Sequence, residues 1–265
     1  MIANYHTHTY RCKHATGTDR EYVEAAIANG LKVLGFSDHN PMLYPNIIKG
    51  KMSEEELPEY VQSILTLKKE YERDIEIFVG LEVEFMEEHF QTQLDLFRKY
   101  PLDYMILGQH LAKNVMAATA TEDVSLLDSY CSRVNAAIET GLFTYVAHPD
   151  VVNFKGDPAV YETYMRALCQ TAKKHDIPLE INLHGLHTGR YYPSERFWKI
   201  AGEENCAAIL ACDAHSPEEF YALPHVSEQA YRLAERCKLN VVDVIPLKSL
   251  MRLRSNTAES PAAEQ

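Results

Sequence analysis

The sequence predicts an α/β fold carried on a parallel sheet, and three observations predict it. Short apolar runs alternate with longer amphipathic stretches about seven times along the chain, and strands separated by helical crossovers pair in parallel. The runs are uniformly apolar or β-branched rather than alternating, as strands buried on both faces tend to be. No glycine-rich phosphate loop follows any of them. That weakens a dinucleotide-binding open sheet and favours a closed barrel, which offers every strand's C-terminal end to one mouth.

The elements follow in order. The first strand covers residues 2–8, and a helix over 19–29 stops at Gly30, a residue suited to a left-handed cap. The second strand covers 33–39. Ser53 opens the next helix, with Glu56 three residues on in a capping-box pattern. Strands follow at 75–85 and 104–111, then a helix over 123–140 ended by Gly141, and a strand at 144–149. A helix over 158–175 begins with proline in its first turn. A strand at 178–184, a helix at 193–204, a strand at 207–215 and a helix at 226–237 complete the set. No repeat or linker splits the chain, so residues 1–250 are expected to form one domain. Residues 251–265, polar and small with one proline, are expected to be a disordered tail.

Composition excludes several classes. The chain has 265 residues, enough for one large core that needs no disulfide or structural metal for stability. Its formal net charge is −12 with no basic block, which argues against nucleic acid or an anionic membrane as partner. A small anionic substrate stays open, because metal ions can reverse the sign inside one pocket. The six cysteines lack CxxC spacing and read as free thiols in a reducing cytosol. The first residues show no secretory pattern, and no apolar run approaches the roughly 18 residues that span a bilayer. The expected location is the cytoplasm.

The histidines carry the chemistry. Strand one ends His6-Thr7-His8, and residues two apart in a strand share a face, so both imidazoles can enter one site. His14 follows in the loop. Strand two ends Ser37-Asp38-His39-Asn40, strand three carries Glu82, strand four ends Gln109-His110, strand five His148-Pro149-Asp150, and the last Asp213-Ala214-His215. Seven of the twelve histidines thus sit at or just beyond strand C-termini. One such histidine is ordinarily a satisfied core or loop residue. Six strand ends with the same placement, converging on one barrel mouth, point to a site for Zn, Mn or Fe.

These motifs resemble the PHP (polymerase and histidinol phosphatase) superfamily along nearly the whole chain: an HxH first, an SDH-type second motif, a glutamate, single histidines and a late DxH. The resemblance implies a single distorted (β/α)7 TIM-like barrel holding three divalent metal ions. Carried over by position, His6, His8 and Asp213 would hold one ion, and Glu82 would bridge it to a second held by His110 and His148. His14, His39 and His215 would hold the third. Catalytic roles fall to Glu82, Asp213 and His215, with attack by a metal-bridging hydroxide. Asp38 and Asp150, beside ligands in sequence, are candidates to orient the imidazoles.

The late segment is most similar to monofunctional histidinol-phosphate phosphatases, in Glu180-Ile181-Asn182, Gly185-Leu186-His187 and Tyr192-Pro193. Such an enzyme would hydrolyse L-histidinol phosphate in histidine biosynthesis. His187 replaces the arginine of a Gly-Leu-Arg element that helps hold phosphate in that group, and Arg190 follows three residues on. Arg190, Asn182, His187, Gln109 and Asn40 are the expected substrate contacts. Alternatives are a phosphatase for another small phosphomonoester, a nuclease or phosphodiesterase, an amidohydrolase, and a non-enzymatic metal-binding module. The acidic charge disfavours nucleases. The extra His14, His39 and His215 favour three metals over an amidohydrolase's two.

Overall fold

The computed structural model describes residues 1–41 and 50–248, which leaves the expected tail at 251–265 outside the described residues. In chain order the elements are β1 (Ala3–Asn4), α1 (Asp19–Ala28), β2 (Val33–Phe36), α2 (Leu57–Glu70), β3 (Glu76–Val83), α3 (Glu87–Phe97) and β4 (Tyr104–Leu107). There follow β5 (Leu111–Ala112), β6 (Val115–Met116), α4 (Val124–Glu139), α5 (Pro158–Lys174), β7 (Leu179–Asn182) and α6 (Leu183–His187). The last four are α7 (Glu195–Glu203), β8 (Ala207–Ala211), α8 (Leu223–Cys237) and β9 (Asn240–Val242).

The result is a mixed α/β fold on a curled parallel sheet. β1, β2, β3 and β4 run parallel as one four-stranded sheet, and β7, β8 and β9 run parallel as another. Val146 bridges Leu107 on one side and Leu179 on the other, and Thr7 bridges Ala214. The strand expected at 144–149 is therefore reduced to these single bridges, because the backbone turns out of the extended region at His148 (φ 30°).

Local signals account for most boundaries. Thr18 caps α1 in a capping box with Glu21, and Ser53 forms the expected box with Glu56. α3 carries no such mark, since Met86 at its N-cap has no side-chain acceptor to offer. The strand expected at 104–111 stops at Leu107 and resumes as a short antiparallel hairpin, β5–β6. At the break stands Gly108, where a Cβ would overlap the Glu82 carboxylate.

The outward faces of the strands, such as Ile77, Val79, Leu81 and Val83 of β3, bury against the helices in the main apolar cluster. A second cluster, with Tyr5, Tyr104, Ile106, Tyr145 and Ile209, fills the inside of the curl near the strand starts. Tyr104 fits because Gly80 leaves its ring room, and its hydroxyl donates to the Tyr5 carbonyl at 2.7 Å. This floor seals one end and leaves the other for polar side chains.

Candidate metal centre

At the strand C-terminal ends the seven predicted histidines meet around Glu82 and Asp213. β1 ends early because Asn4 takes over the neighbouring backbone groups. Its Nδ2 donates to the His6 carbonyl, and its Oδ1 accepts from the His6 and Cys212 amides at 3.3 and 2.8 Å. The turn aims His6 and His8 inward, with their Nε2 atoms 3.2 Å apart. At the other ends, His148 (φ 30°) and Asp213 (φ 52°) hold left-handed backbone that few non-glycine residues adopt. Such strain concentrates where a side chain must be aimed.

Glu82 is the hub. Its Oε1 accepts from His148 Nε2 at 2.8 Å and lies 3.5 Å from His110 Nε2. His39 Nδ1 lies 2.7 Å from Glu82 Oε2, and both atoms are buried without a hydrogen-bond partner. Asp213 Oδ1 repeats the pattern. His8 Nε2, His6 Nε2 and His215 Nδ1 surround it at 3.0, 3.4 and 3.6 Å, and it still has no hydrogen-bond partner. Buried polar groups are almost always satisfied. Buried carboxylate oxygens left unpartnered among imidazoles are the arrangement a cation satisfies.

A ring of carboxylates behind the imidazoles fixes which nitrogen faces inward. Glu180 Oε2 lies 2.8 Å from His6 Nδ1, Asp38 Oδ1 3.3 Å from His8 Nδ1, and Glu84 Oε2 3.1 Å from His110 Nδ1. Each can accept a hydrogen bond from Nδ1–H, which leaves the Nε2 lone pair to face the centre. His215 Nδ1 meets the Asp213 carbonyl at 2.8 Å to the same effect. Of these carboxylates the sequence marked Asp38 alone. Asp150 serves differently, as it accepts from the Ser194 amide at 2.6 Å, and burial pushes its pKa up to about 6.

The two carboxylates and two of the imidazoles are already in the form that ligates a cation. Burial favours protonated carboxyls, yet the surrounding imidazoles hold Glu82 and Asp213 well below the usual carboxylate range. Burial holds His39 and His215 well below the ordinary imidazole value, so both are neutral donors. Burial also disfavours charge on His6, but Glu180, Asp213 and Glu82 outweigh it and raise that pKa to about 10. Ionised carboxylates and neutral imidazoles are the forms that bind metal. Several trios offer donor atoms within 4.8 Å of one another: His6, His148 and Asp213; His6, His8 and Glu82; His8, His39 and His215. The residues present fit divalent ions.

Beside the cluster opens a cavity of about 370 Å³, lined by His14, His39, Glu82, His110, His148, Asp213 and His215 and also by Met116, His184, Arg190 and Tyr192. It is large enough for a small organic phosphate. Arg190 reaches it, with Nη1 donating to the Tyr192 hydroxyl and Nη2 3.1 Å from His184 Nε2. His184 Nδ1 is held in turn by Glu219 at 2.8 Å. The other expected substrate contacts lie off the cavity wall. Asn40 is spent on the Glu84 amide and the Pro41 carbonyl, and Gln109 on Glu84, Leu111 and Phe85. Asn182 bonds Glu180, Asp213 and the Gly185 amide. These buried amides brace the site, and none lines the cavity. His187 is exposed at the end of α6, also off the cavity wall. An amide at a strand end satisfies backbone or faces solvent with equal ease in sequence, and packing chose the first.

The molecule is thus an α/β protein with a strand-end cluster built for divalent cations. Residues 4–184 match the PHP domain family, and the chain belongs to that family. It is 29% identical over 231 residues to a protein of Deinococcus radiodurans named "Probable histidinol-phosphatase", covering 82% of this chain and 88% of that one. It is 26% identical to the histidinol-phosphatase of Bacillus subtilis, covering 79% and 92%. Its fold is similar to that of histidinol phosphate phosphatase from Lactococcus lactis, solved with zinc, L-histidinol and phosphate. There the TM-score is 0.71 at 18% identity, covering 94% of this chain and 98% of that one.

Proposed function

We propose that the chain is a metal-dependent phosphomonoesterase that converts L-histidinol phosphate and water to L-histidinol and phosphate. The carrying observation is the pair of buried carboxylate oxygens, Glu82 Oε2 and Asp213 Oδ1, ringed by imidazole nitrogens and bonded to none. The names of the Deinococcus and Bacillus relatives support the substrate. The bridges at Val146 and Thr7 support a distorted seven-stranded (β/α)7 ring that brings all the strand ends together.

Three ions are the proposed complement. His6, His8 and Asp213 would hold one, His110 and His148 a second with Glu82 between them, and His14, His39 and His215 a third. When bound, such ions supply positive charge to phosphoryl oxygens and make water nucleophilic at neutral pH. The protein's own part is orientation. Glu180, Asp38 and Glu84 lock three imidazoles in one tautomer. Glu82 and Asp213 stay ionised at the cavity base. Arg190, steadied by His184 and Tyr192, presents a planar fork to the phosphate, the geometry in which guanidinium binds phosphate bidentately. The apolar walls at Met116 and Val151 give the organic half of the substrate a dry side.

The test is phosphate release by zinc- or manganese-loaded protein across histidinol phosphate, other small phosphomonoesters and a dinucleotide. A kcat/KM for histidinol phosphate of about 10⁴ M⁻¹s⁻¹ or more, well above the others, is the expected outcome. Slow and unselective turnover would remove histidinol phosphate as the substrate. No release from any phosphoester by metal-loaded protein would end the phosphoesterase reading.

A further inference from the structure

The cysteines are of two kinds. Cys131, Cys169, Cys206, Cys212 and Cys237 all pack within the main apolar cluster. Cys12 is equally withdrawn from solvent but belongs to neither apolar cluster. Its neighbours are site residues. Its Sγ and ligand atoms of His14 and His215 all lie within 4.8 Å of one another, and it forms a second such trio with His8 and Asp38.

The backbone after β1 builds this placement. Thr9 caps a 3₁₀ turn over Tyr10–Cys12, and Lys13 in left-handed conformation (φ 69°) reverses the chain. The reversal sets His14 beside Cys12, with His14 Nδ1 2.7 Å from the Cys12 carbonyl. A carbonyl only accepts, so that Nδ1 carries the hydrogen and Nε2 keeps its lone pair. The Asp213 carbonyl does the same for His215. His39 joins the same side of the centre through His215, with which it shares a trio that includes His8. The Cys12 thiol hydrogen-bonds His14 and His8, and a thiolate in the same place would complete a cation's shell.

We propose that Cys12 is a sulfur ligand to the ion at His14, His39 and His215, so that one position of the centre carries three nitrogens and a thiolate. The inference rests on the metal-centre reading and deepens it. Binding breaks the S–H bond and forms a sulfur–metal bond, with the proton passing to solvent. Thiolate is a soft donor that selects zinc over manganese, whereas the carboxylate-rich positions admit either. The centre would therefore hold unlike ions, with zinc retained at the cysteine position.

The test uses the full chain loaded with cobalt(II). The near-ultraviolet sulfur-to-cobalt charge-transfer band is read beside the visible ligand-field bands. The band is expected in the unaltered protein and in Cys131→Ala, and is lost in Cys12→Ser and Cys12→Ala while ligand-field bands persist. In zinc-loaded protein either Cys12 substitution should release one ion to chelator at least about tenfold more readily, with manganese retention unchanged. Cobalt bound without the charge-transfer band in the unaltered protein would overturn the proposal and leave the metal centre standing. That spectrum decides the matter even if both variants misfold. A band surviving both Cys12 substitutions would overturn it as well. Failure to take up any cobalt, zinc or manganese would instead remove the metal-centre reading on which it rests.

Discussion

The two ends of the same inward strand surface could hardly differ more. On β4, Tyr104 and Ile106 face an apolar floor, while the chain just beyond places His110 in the cavity wall. On β8, Ile209 belongs to the floor and the following turn presents Asp213. Floor residues settle their polar atoms locally, as the Tyr104 hydroxyl does on the Tyr5 carbonyl. At the mouth, Glu82 Oε2, Asp213 Oδ1, His39 Nδ1 and His148 Nδ1 are buried with no partner. Unpaired buried polar atoms cost stability, and ionised ones cost most. The difference teaches that the floor stabilises the fold and the mouth draws on that stability to keep its lone pairs free for cations.

Substitutions at each end should therefore fail in opposite ways. Glu82→Gln removes the hub charge, and activity should fall by more than about 10³-fold, beyond what one preorganised donor contributes. Metal content measured on the same sample should drop while circular dichroism stays native. A folded, fully loaded, active Glu82→Gln protein would break the comparison. Tyr104→Ala should do the reverse, costing about 3 kcal/mol or more of unfolding free energy through the cavity it leaves. The protein that remains folded should bind its usual complement of metal.

Glu180→Gln tests the link behind the mouth and should weaken metal affinity about 10- to 100-fold, measured by chelator competition. It also carries a pH signature. In metal-free protein His6 is raised from 6.5 to about 10. Stability from its protonated form is then fully present below pH 6.5 and is lost as pH rises through about 10. Urea midpoints of metal-free protein should fall over that window, and Glu180→Gln should flatten the fall. Metal binding must expel the same proton, so zinc affinity should rise with pH up to about 10.

The smallest effect belongs to the one exception at the floor. The Tyr145 hydroxyl is buried there without a partner. Tyr145→Phe should stabilise the protein by about 1 kcal/mol, read as a rise in Tm with unchanged metal content. A loss of activity would show that the hydroxyl serves the mouth after all.

Much of this was legible in the chain. Short apolar runs punctuated by capping signals located six of the strands and most helices, and polar breaks after those runs located all seven clustered histidines together with Glu82 and Asp213. The failures share one cause. Glu180 and Glu84 hold site imidazoles and Cys12 lies beside them, yet a glutamate inside an apolar strand and a cysteine in a turn look like interior residues when read along the chain. Asn40, Gln109 and Asn182 read equally as pocket residues or as partners for loop backbone, and the fold hydrogen-bonds all three within the site. Helix α3 lacked a side-chain cap, so nothing local announced it.

Periodicity and strand-end chemistry are written in neighbouring residues, because a strand's alternation and a helix's caps depend on positions two to four apart. They settle which elements form and which side chains reach the mouth. Which carboxylate stands behind which imidazole depends on partners far apart in sequence. His6 and Glu180 are 174 positions apart, and His148 and Glu82 are 66 apart. Such pairs exist through strand register and the curl of the sheet, which the packing of floor and helices sets for the chain as a whole.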